Sequence, residues 1–179
     1  MSVYSNPASA ARDHAEAYIP AVLGLLGDRE PRAVLRETPL ALAEAIRGLP
    51  ETAYHAAEAR GKWSIGEVLQ HLADSELVWG YRLRMALAHD RPQLFGYDQD
   101  LWASRLHYAD TDPQESLELF TILRHANLRV LDGASHDDMD RVAVHKERGE
   151  ESIRHMIRLY AGHDLVHLRQ IDRIRHSVV

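Results

Sequence analysis

Two histidines near the end of the chain, His163 and His167, are spaced so that both could hold one metal ion. Residues four apart lie on the same face of a helix, with Cβ atoms about 6 Å apart, so both imidazoles can reach a single cation. Tyr160 and Ile174 continue this face at helical spacing. The pair is therefore expected to point toward the protein interior or its mouth. The alternative is that both rings only hydrogen-bond to their neighbours.

His71 is the candidate for a third ligand. It lies one turn after Val68, at the edge of the apolar face of a helix that is expected to begin after Ser64. The alternative is a core-edge histidine that hydrogen-bonds to a partner helix. Three imidazoles leave coordination positions open for water or substrate, which is typical of a catalytic site. Imidazole suits zinc, nickel and iron, so the set predicts one divalent ion without selecting it.

Three further polar residues are weaker candidates. Asp74, one turn from His71, could orient a ligand or act as a catalytic base, although a solvated carboxylate is the plainer interpretation. Asp164 stands where a zincin has glutamate, so that mechanism is not expected. Asp164 lies about 100° around the helix from His163 and is therefore expected to face another helix. His145 lies in a link that could pass near the metal.

Composition excludes several kinds of function. The chain has 179 residues, which suits a single domain over residues 1–179. It contains no cysteine, which removes cysteine-ligated metal sites and any protein thiol as nucleophile. A net charge of −6 disfavours nucleic acid as a partner. Without a signal peptide or a long apolar segment at the front, the expected setting is cytoplasmic, with no membrane partner.

Apolar periodicity is helical almost throughout, and no stretch alternates apolar and polar residues long enough to predict a strand. The expected fold is all-α, a four-helix bundle with a core over about 38–176 and an extra helical segment within residues 1–37. The predicted helices cover about residues 10–26, 31–36, 38–48, 64–89, 113–132 and 150–175. The long link 91–112 is rich in aromatic and acidic residues, so we expect it to form a wall of the site. Trp102 should be substantially buried, with Tyr97 or Asp98 near the pocket mouth.

Three segments together resemble the DinB/YfiT-like superfamily of metalloenzymes. They are KWSIGEVLQHLADSE (62–76), GYDQDLW (96–102) and LYAGHDLVHLRQI (159–171). The resemblance runs from about residue 40 to the end. It implies a four-helix bundle of unusual topology and a divalent metal bound by His71, His163 and His167. Members of this superfamily include transferases and isomerases that use low-molecular-weight thiols, and others described as hydrolases.

The resulting hypothesis is a divalent-metal-dependent enzyme that acts on a small-molecule substrate. Its nucleophile would be a low-molecular-weight thiol cosubstrate or water, with its pKa lowered by the ion. The alternative is a protein that is not an enzyme and only binds or senses a metal ion. The arginine-rich helix faces would suit a homodimer. The sequence assigns no role to the N-terminal extension.

Overall fold

The computed structural model describes residues 11–57 and 59–178. Its helices are α1 (Ala11–Leu26), α2 (Pro31–Ile46), α3 (Glu51–Tyr54), α4 (Ile65–Ala88), α5 (Gln99–Arg105), α6 (Pro113–Asp132) and α7 (Ile153–Val178). Helices α2, α4, α6 and α7 pack as a four-helix bundle, and α1 lies against α7. The all-α prediction is confirmed in its main lines. Among the described residues, no helix combines the length and apolar character that a membrane span requires.

Helix α4 begins where the sequence predicts. The side chain of Ser64 accepts a hydrogen bond from the backbone N–H of Glu67, and the Glu67 carboxylate accepts one from the backbone N–H of Ser64. This reciprocal cap satisfies two donors that a helix start otherwise leaves without partners. Behind it, Ile65, Leu69 and Leu72 are buried in the core. The cap and this apolar face together fix the rotation of α4, and therefore the direction of its polar residues.

The two short helices predicted over 31–36 and 38–48 are one helix, α2. Pro39 lies inside it, where its missing N–H leaves the carbonyl of Leu35 without the usual helical donor. The buried guanidinium of Arg124 replaces that donor, with Nη1 2.8 Å from the Leu35 oxygen. A contact from a distant helix therefore lets α2 continue through the proline, which local sequence could not indicate.

A small sheet is the second correction to the sequence prediction. Strands β2 (Val142–His145) and β3 (Gly149–Ser152) form an antiparallel hairpin, and β1 (Gln93–Leu94) pairs in parallel with β2. Strands of two to four residues are too short to display a period, so the pattern did not reveal them. The hairpin also delays the start of α7 from about residue 150 to Ile153.

The link 91–112 is folded. It contains β1, helix α5 and a 3₁₀ turn at Tyr108–Asp110. The Asp98 carboxylate caps α5 by accepting a hydrogen bond of 2.8 Å from the N–H of Leu101. Trp102 is half-buried, less than the sequence prediction required, and its ring lies 4.4 Å from that of Tyr97.

Helix α1 crosses α7 at Gly162. A Cβ atom at this position would lie 2.5 Å from Val22 Cγ1 and 2.6 Å from the Val22 carbonyl oxygen. Only glycine allows the two backbones to approach this closely. The crossing is one residue from His163, so the N-terminal helix is held directly beside the predicted metal ligands.

Candidate metal centre

The three predicted metal ligands converge. Helix α4 carries His71, and α7 carries His163 and His167 one turn apart. The Nε2 atom of His163 lies 3.2 Å from Nε2 of His71 and 3.2 Å from Nε2 of His167. One ligand atom from each ring lies within 4.8 Å of the other two. Two nitrogens bound to one zinc ion at 2.0–2.1 Å in tetrahedral geometry are about 3.3 Å apart, so two of the three separations match such a site.

Burial keeps these rings neutral. Desolvation, aided by its two histidine neighbours, lowers the pKa of His71 well below its usual value. Desolvation and the positive charge of Arg124 lower the pKa of His163 to about 4. The pKa of His167 falls to about 3, mainly through desolvation and then through His163. Neutral imidazole is the form that binds a metal, so at neutral pH no proton has to be displaced.

Neighbouring side chains orient His167 through a hydrogen bond and His71 through ring packing. Nδ1 of His167 lies 2.9 Å from Oε1 of Gln170, which can only accept a hydrogen bond, so Nδ1 carries the proton and Nε2 presents its lone pair. For His71, Nδ1 is buried and has no hydrogen-bond partner among the described residues. Its ring is instead packed against Trp63 at a centroid distance of 4.8 Å. The chemistry and convergence of these donors fit a divalent cation.

A pocket of about 90 Å³ opens beside the triad. Its volume is several times that needed for one water molecule, so it can hold a small ligand group. His163 and Ser75 lie where the pocket meets the triad, and Ser75 Oγ is 3.4 Å from Nε2 of His71. The remaining lining residues come from α1, α4, the link 91–112, the hairpin and α7: Tyr18, Ile19, Arg82, Gly96, Tyr97, Gln99, Glu147, Arg148, Leu159 and Tyr160.

A buried ion-pair cluster stands behind the triad. Both guanidinium Nη atoms of Arg124 donate to Asp164, at 2.7 and 3.0 Å, and Nη2 also donates to Glu76 at 2.8 Å. Asn127 donates to the second oxygen of Glu76 at 3.0 Å. Together with the bond to the Leu35 carbonyl, these contacts connect all four bundle helices. Asp164 faces another helix, as the sequence predicted.

The other predicted site residues occupy different places. Both oxygens of Asp74 accept hydrogen bonds away from the triad, from Tyr108 at 2.5 Å and Gln70 at 3.2 Å, and the catalytic role of Asp74 stays a prediction. Tyr97 lies on the pocket wall with its hydroxyl 3.1 Å from Ser75 Oγ, as expected for the link 91–112. His145 is buried in β2 but is not part of the metal-ligand group.

Sequence reasoning missed several polar residues of the pocket, among them Arg82, Arg148 and Tyr18. Arg82 lies on α4 two turns beyond Ser75, Arg148 lies at the turn of the hairpin, and Tyr18 lies on α1. The position of Arg82 on the ligand-bearing helix was a usable signal, because residues seven apart share a helical face. The sequence suggested that the link holding His145 passes near the metal, but nothing in the local sequence connected α1 with the site.

Fold and site together define a class: a helical-bundle protein with an open tris-histidine centre beside a pocket. The chain belongs to the DinB superfamily, whose family model matches residues 35–171. Helix α1 lies before the matched region.

Two relatives that share one description align with most of the chain. A protein of Oceanobacillus iheyensis named "Putative metal-dependent hydrolase" is 30% identical over 140 residues, which are 78% of this chain and 81% of that protein. One of Bacillus licheniformis with the same description is 26% identical over 142 residues, 79% of this chain and 81% of the relative. The solved structure of Bacillus subtilis YfiT, described as having "an unusual four-helix bundle topology", matches with a TM-score of 0.77 at 22% identity. That match covers 84% of this chain and 88% of YfiT, and it confirms the fold.

Proposed function

We propose that this chain is a divalent-metal-dependent enzyme that activates a nucleophile for attack on a small molecule, and that this nucleophile is a low-molecular-weight thiol. The observation that carries the proposal is the convergence of three neutral imidazoles at one end of a pocket. When bound by three uncharged ligands, a divalent cation lowers the pKa of a thiol or water that coordinates to it.

The chain's own residues provide position and access. Gln170 holds His167 in the tautomer that presents Nε2, and Trp63 limits the rotation of His71. The pocket admits a ligand on the side of His163, which is the half-buried member of the triad. Ile19 and Leu159 form apolar parts of the wall of this pocket. Apolar walls exclude water from a site, which strengthens electrostatic interactions within it.

The distribution of carboxylates favours a thiol over water. Glu147 is the only acid among the described lining residues, and its carboxylate lies against Gly96 rather than beside the triad. Many metal-dependent hydrolases use a carboxylate next to the metal as the general base for water. A thiol has a pKa of about 8.5 when free and loses its proton on metal coordination without such a base. Because the chain has no cysteine, the thiol would come from a cosubstrate.

In the proposed transfer, the thiolate sulfur forms a bond to an electrophilic carbon of the second substrate. The bond from that carbon to its leaving group breaks, the leaving group departs with the electron pair, and the thiol proton passes to solvent. Neither substrate is oxidised or reduced. Hydrolysis, in which water takes the place of the thiol, is the second candidate, and the names of the two relatives quoted above favour it.

A parallel assay separates the two reactions. Zinc-, nickel- and iron-loaded protein would be tested with cysteine and glutathione plus 1-chloro-2,4-dinitrobenzene, and separately with 4-nitrophenyl acetate without a thiol. We expect metal-dependent thioether formation above the uncatalysed rate, absent in His163→Ala after identical loading. Ester hydrolysis without thioether formation would replace S-transfer by hydrolysis. If His163→Ala kept the wild-type rates of thioether formation and ester hydrolysis, the metal-centred mechanism would be contradicted.

A further inference from the structure

Among the described residues, no carboxylate balances the buried positive charge of Arg82. Its side chain is 6% exposed. It donates hydrogen bonds to two neutral acceptors, the hydroxyl of Tyr160 at 3.2 Å and the carbonyl oxygen of Phe95. In the described part of the chain, no carboxylate oxygen lies within 4.0 Å of its guanidinium nitrogens. Burying a charge is strongly unfavourable unless an opposite charge compensates it.

Two other buried or half-buried arginines, Arg124 and Arg148, differ from Arg82. Arg124 is compensated by both Glu76 and Asp164. Arg148, which lines the same pocket as Arg82, binds Glu151 in a bidentate pair through Nε and Nη2. Its Nη1 has no hydrogen-bond partner among the described residues. Among the described residues, the Arg82 guanidinium in this pocket therefore has no carboxylate partner, and the Arg148 guanidinium has one Nη donor without an acceptor.

Tyr18 adds an uncharged donor from the N-terminal helix. Its hydroxyl has no hydrogen-bond partner among the described residues, although the side chain lines the pocket and interacts electrostatically with Arg148, Tyr97 and Tyr160. Burial raises the pKa of Tyr18, so the hydroxyl stays protonated at neutral pH. Glu147 is the only acid among the lining residues that the structure describes; its exposed carboxylate lies beside Gly96 and interacts electrostatically with the adjacent Arg148.

We propose that this pocket contains a binding subsite for an oxyanion, the carboxylate or phosphate group of a small-molecule ligand. The anion would lie between Arg82 and Arg148, with Tyr18 as a third donor. Guanidinium groups bind such oxyanions through charge-assisted, often bidentate, hydrogen bonds. Because His163 lines the same pocket, a ligand anchored in this subsite would present another group to the metal centre. That last step rests on the proposed function, but the subsite itself does not.

The test uses the metal-free full-length protein, so that an anion cannot bind to a metal ion. Succinate, inorganic phosphate and the neutral analogue succinamide would be titrated while the ¹H–¹⁵N signals of arginine Nε and the backbone are recorded. We expect saturable binding of at least one anion and none of succinamide. Arg82→Gln removes the charge but keeps an amide donor, and it should weaken anion binding by at least about tenfold. Arg169→Gln removes the same charge from an exposed position on α7 and should leave binding unchanged.

Each outcome decides the proposal. Tighter binding of succinate supports a carboxylate ligand, and tighter binding of phosphate supports a phosphate ligand. Equal affinity in wild type and Arg82→Gln, or no saturable binding of either anion, overturns the subsite. If Arg82→Gln does not fold, Arg148→Gln and Tyr18→Phe replace it, and unchanged binding in both is then the contrary result. If the protein bound the anion but took up no metal, the proposed metal-dependent function would be overturned and the subsite would stand.

Discussion

At the scale of single residues, the metal centre depends on imidazoles that burial holds in the neutral form. The same burial makes the metal-free protein sensitive to acid. An unfolded histidine titrates near its usual pKa of about 6.5, whereas folded His163 and His167 titrate at about 4 and 3. Between these pKa values the unfolded chain binds protons that the folded chain does not, so stability rises with pH and is lost as pH falls from about 6.5 toward 4.

His145 provides a clean test of this effect because it lies outside the metal-ligand group. Desolvation, followed by the charges of Arg148 and Arg82, lowers its pKa to about 4. We expect it to contribute about 1–2 kcal/mol to the fall in unfolding free energy of the metal-free protein between about pH 7 and pH 5. His145→Asn should make that fall smaller by this amount in urea titrations, and replacement of the exposed His125 by Gln should not. An identical pH dependence in wild type and His145→Asn would refute the effect.

Gln170 is expected to support metal affinity through His167. Loss of a partner that orients a metal-bound histidine typically weakens metal binding by about 10- to 100-fold. Gln170→Leu should therefore weaken zinc binding within that range in a competition titration with a chromophoric chelator. Gln170→Glu keeps an acceptor for the Nδ1 proton and should retain most of the affinity. Equal losses in both variants would show that the hydrogen bond does not orient the ring.

Sequence reasoning reached the residues whose chemistry has a local signature. The spacing of His163 and His167 and the helical position of His71 identified all three converging rings, with the family resemblance supporting their assignment as one set. Arg82 and Tyr18 stayed hidden because their role depends on what faces them across the pocket. An arginine in a helix is ordinarily exposed, and only the tertiary structure shows that Arg82 is buried with no carboxylate of the described residues within 4.0 Å.

At the scale of elements, Arg124 determines how the four bundle helices meet. It lies on α6 and contacts Glu76 on α4, Asp164 on α7 and the Leu35 carbonyl on α2, while its guanidinium lies 4.7 Å from the ring of Phe120. Asp164 immediately follows a metal ligand on α7. Together with the cap and apolar face of α4, the ion-pair cluster therefore sets the rotation of α4 and α7 that brings their histidines together.

Removing Arg124 should destabilise the fold severely. Arg124→Met would leave the carboxylates of Glu76 and Asp164 buried without their cation, and breaking a buried pair in this way costs about 3–5 kcal/mol. The exposed Arg129 on the same helix is the matched control, and Arg129→Met should change stability by less than about 0.5 kcal/mol. Chemical denaturation measures both. A loss below about 1 kcal/mol for Arg124→Met would contradict the structural role assigned to the cluster.

Replacement by alanine should have opposite effects on stability at two glycines, one where α7 crosses α1 and one elsewhere in α1. Gly162→Ala would place a Cβ atom 2.5–2.6 Å from Val22 and should cost about 1–3 kcal/mol as α1 is displaced. At Gly24 in α1, an added Cβ would meet no atom within 4 Å, so Gly24→Ala should be neutral or stabilising by up to about 1 kcal/mol. Thermal unfolding of both variants tests this. Equal stability of the two variants would argue against close packing of α1 on α7.

The long helices were predictable because each displays several turns of apolar periodicity and a start signal such as Ser64 with Glu67. Two features were not. Helix α2 continues through Pro39 because of a donor from α6, and the hairpin consists of strands too short to show alternation. Both depend on partners distant in the sequence, which local patterns do not contain.

At the scale of the whole molecule, the site joins parts that the sequence separates widely. Helices α4 and α7 supply the three histidines, while the pocket is completed by α1, the link 91–112 and the hairpin. The family model begins at residue 35, so α1 adds Tyr18 and Ile19 to the pocket from outside the matched region. Helix α1, part of the N-terminal extension to which the sequence assigned no role, thus contributes to the site wall.

The central claim is that His71, His163 and His167 bind one divalent ion together. The most direct measurement is metal content after stripping and reloading with zinc, for wild type and for His71→Ala, His163→Ala and His167→Ala. His125→Ala serves as the control for loss of an exposed histidine. We predict about one equivalent of zinc per chain in wild type and control, and a loss of most bound metal in each triad variant while its circular dichroism stays helical. Equal metal content in the wild type and the three triad variants would contradict the account.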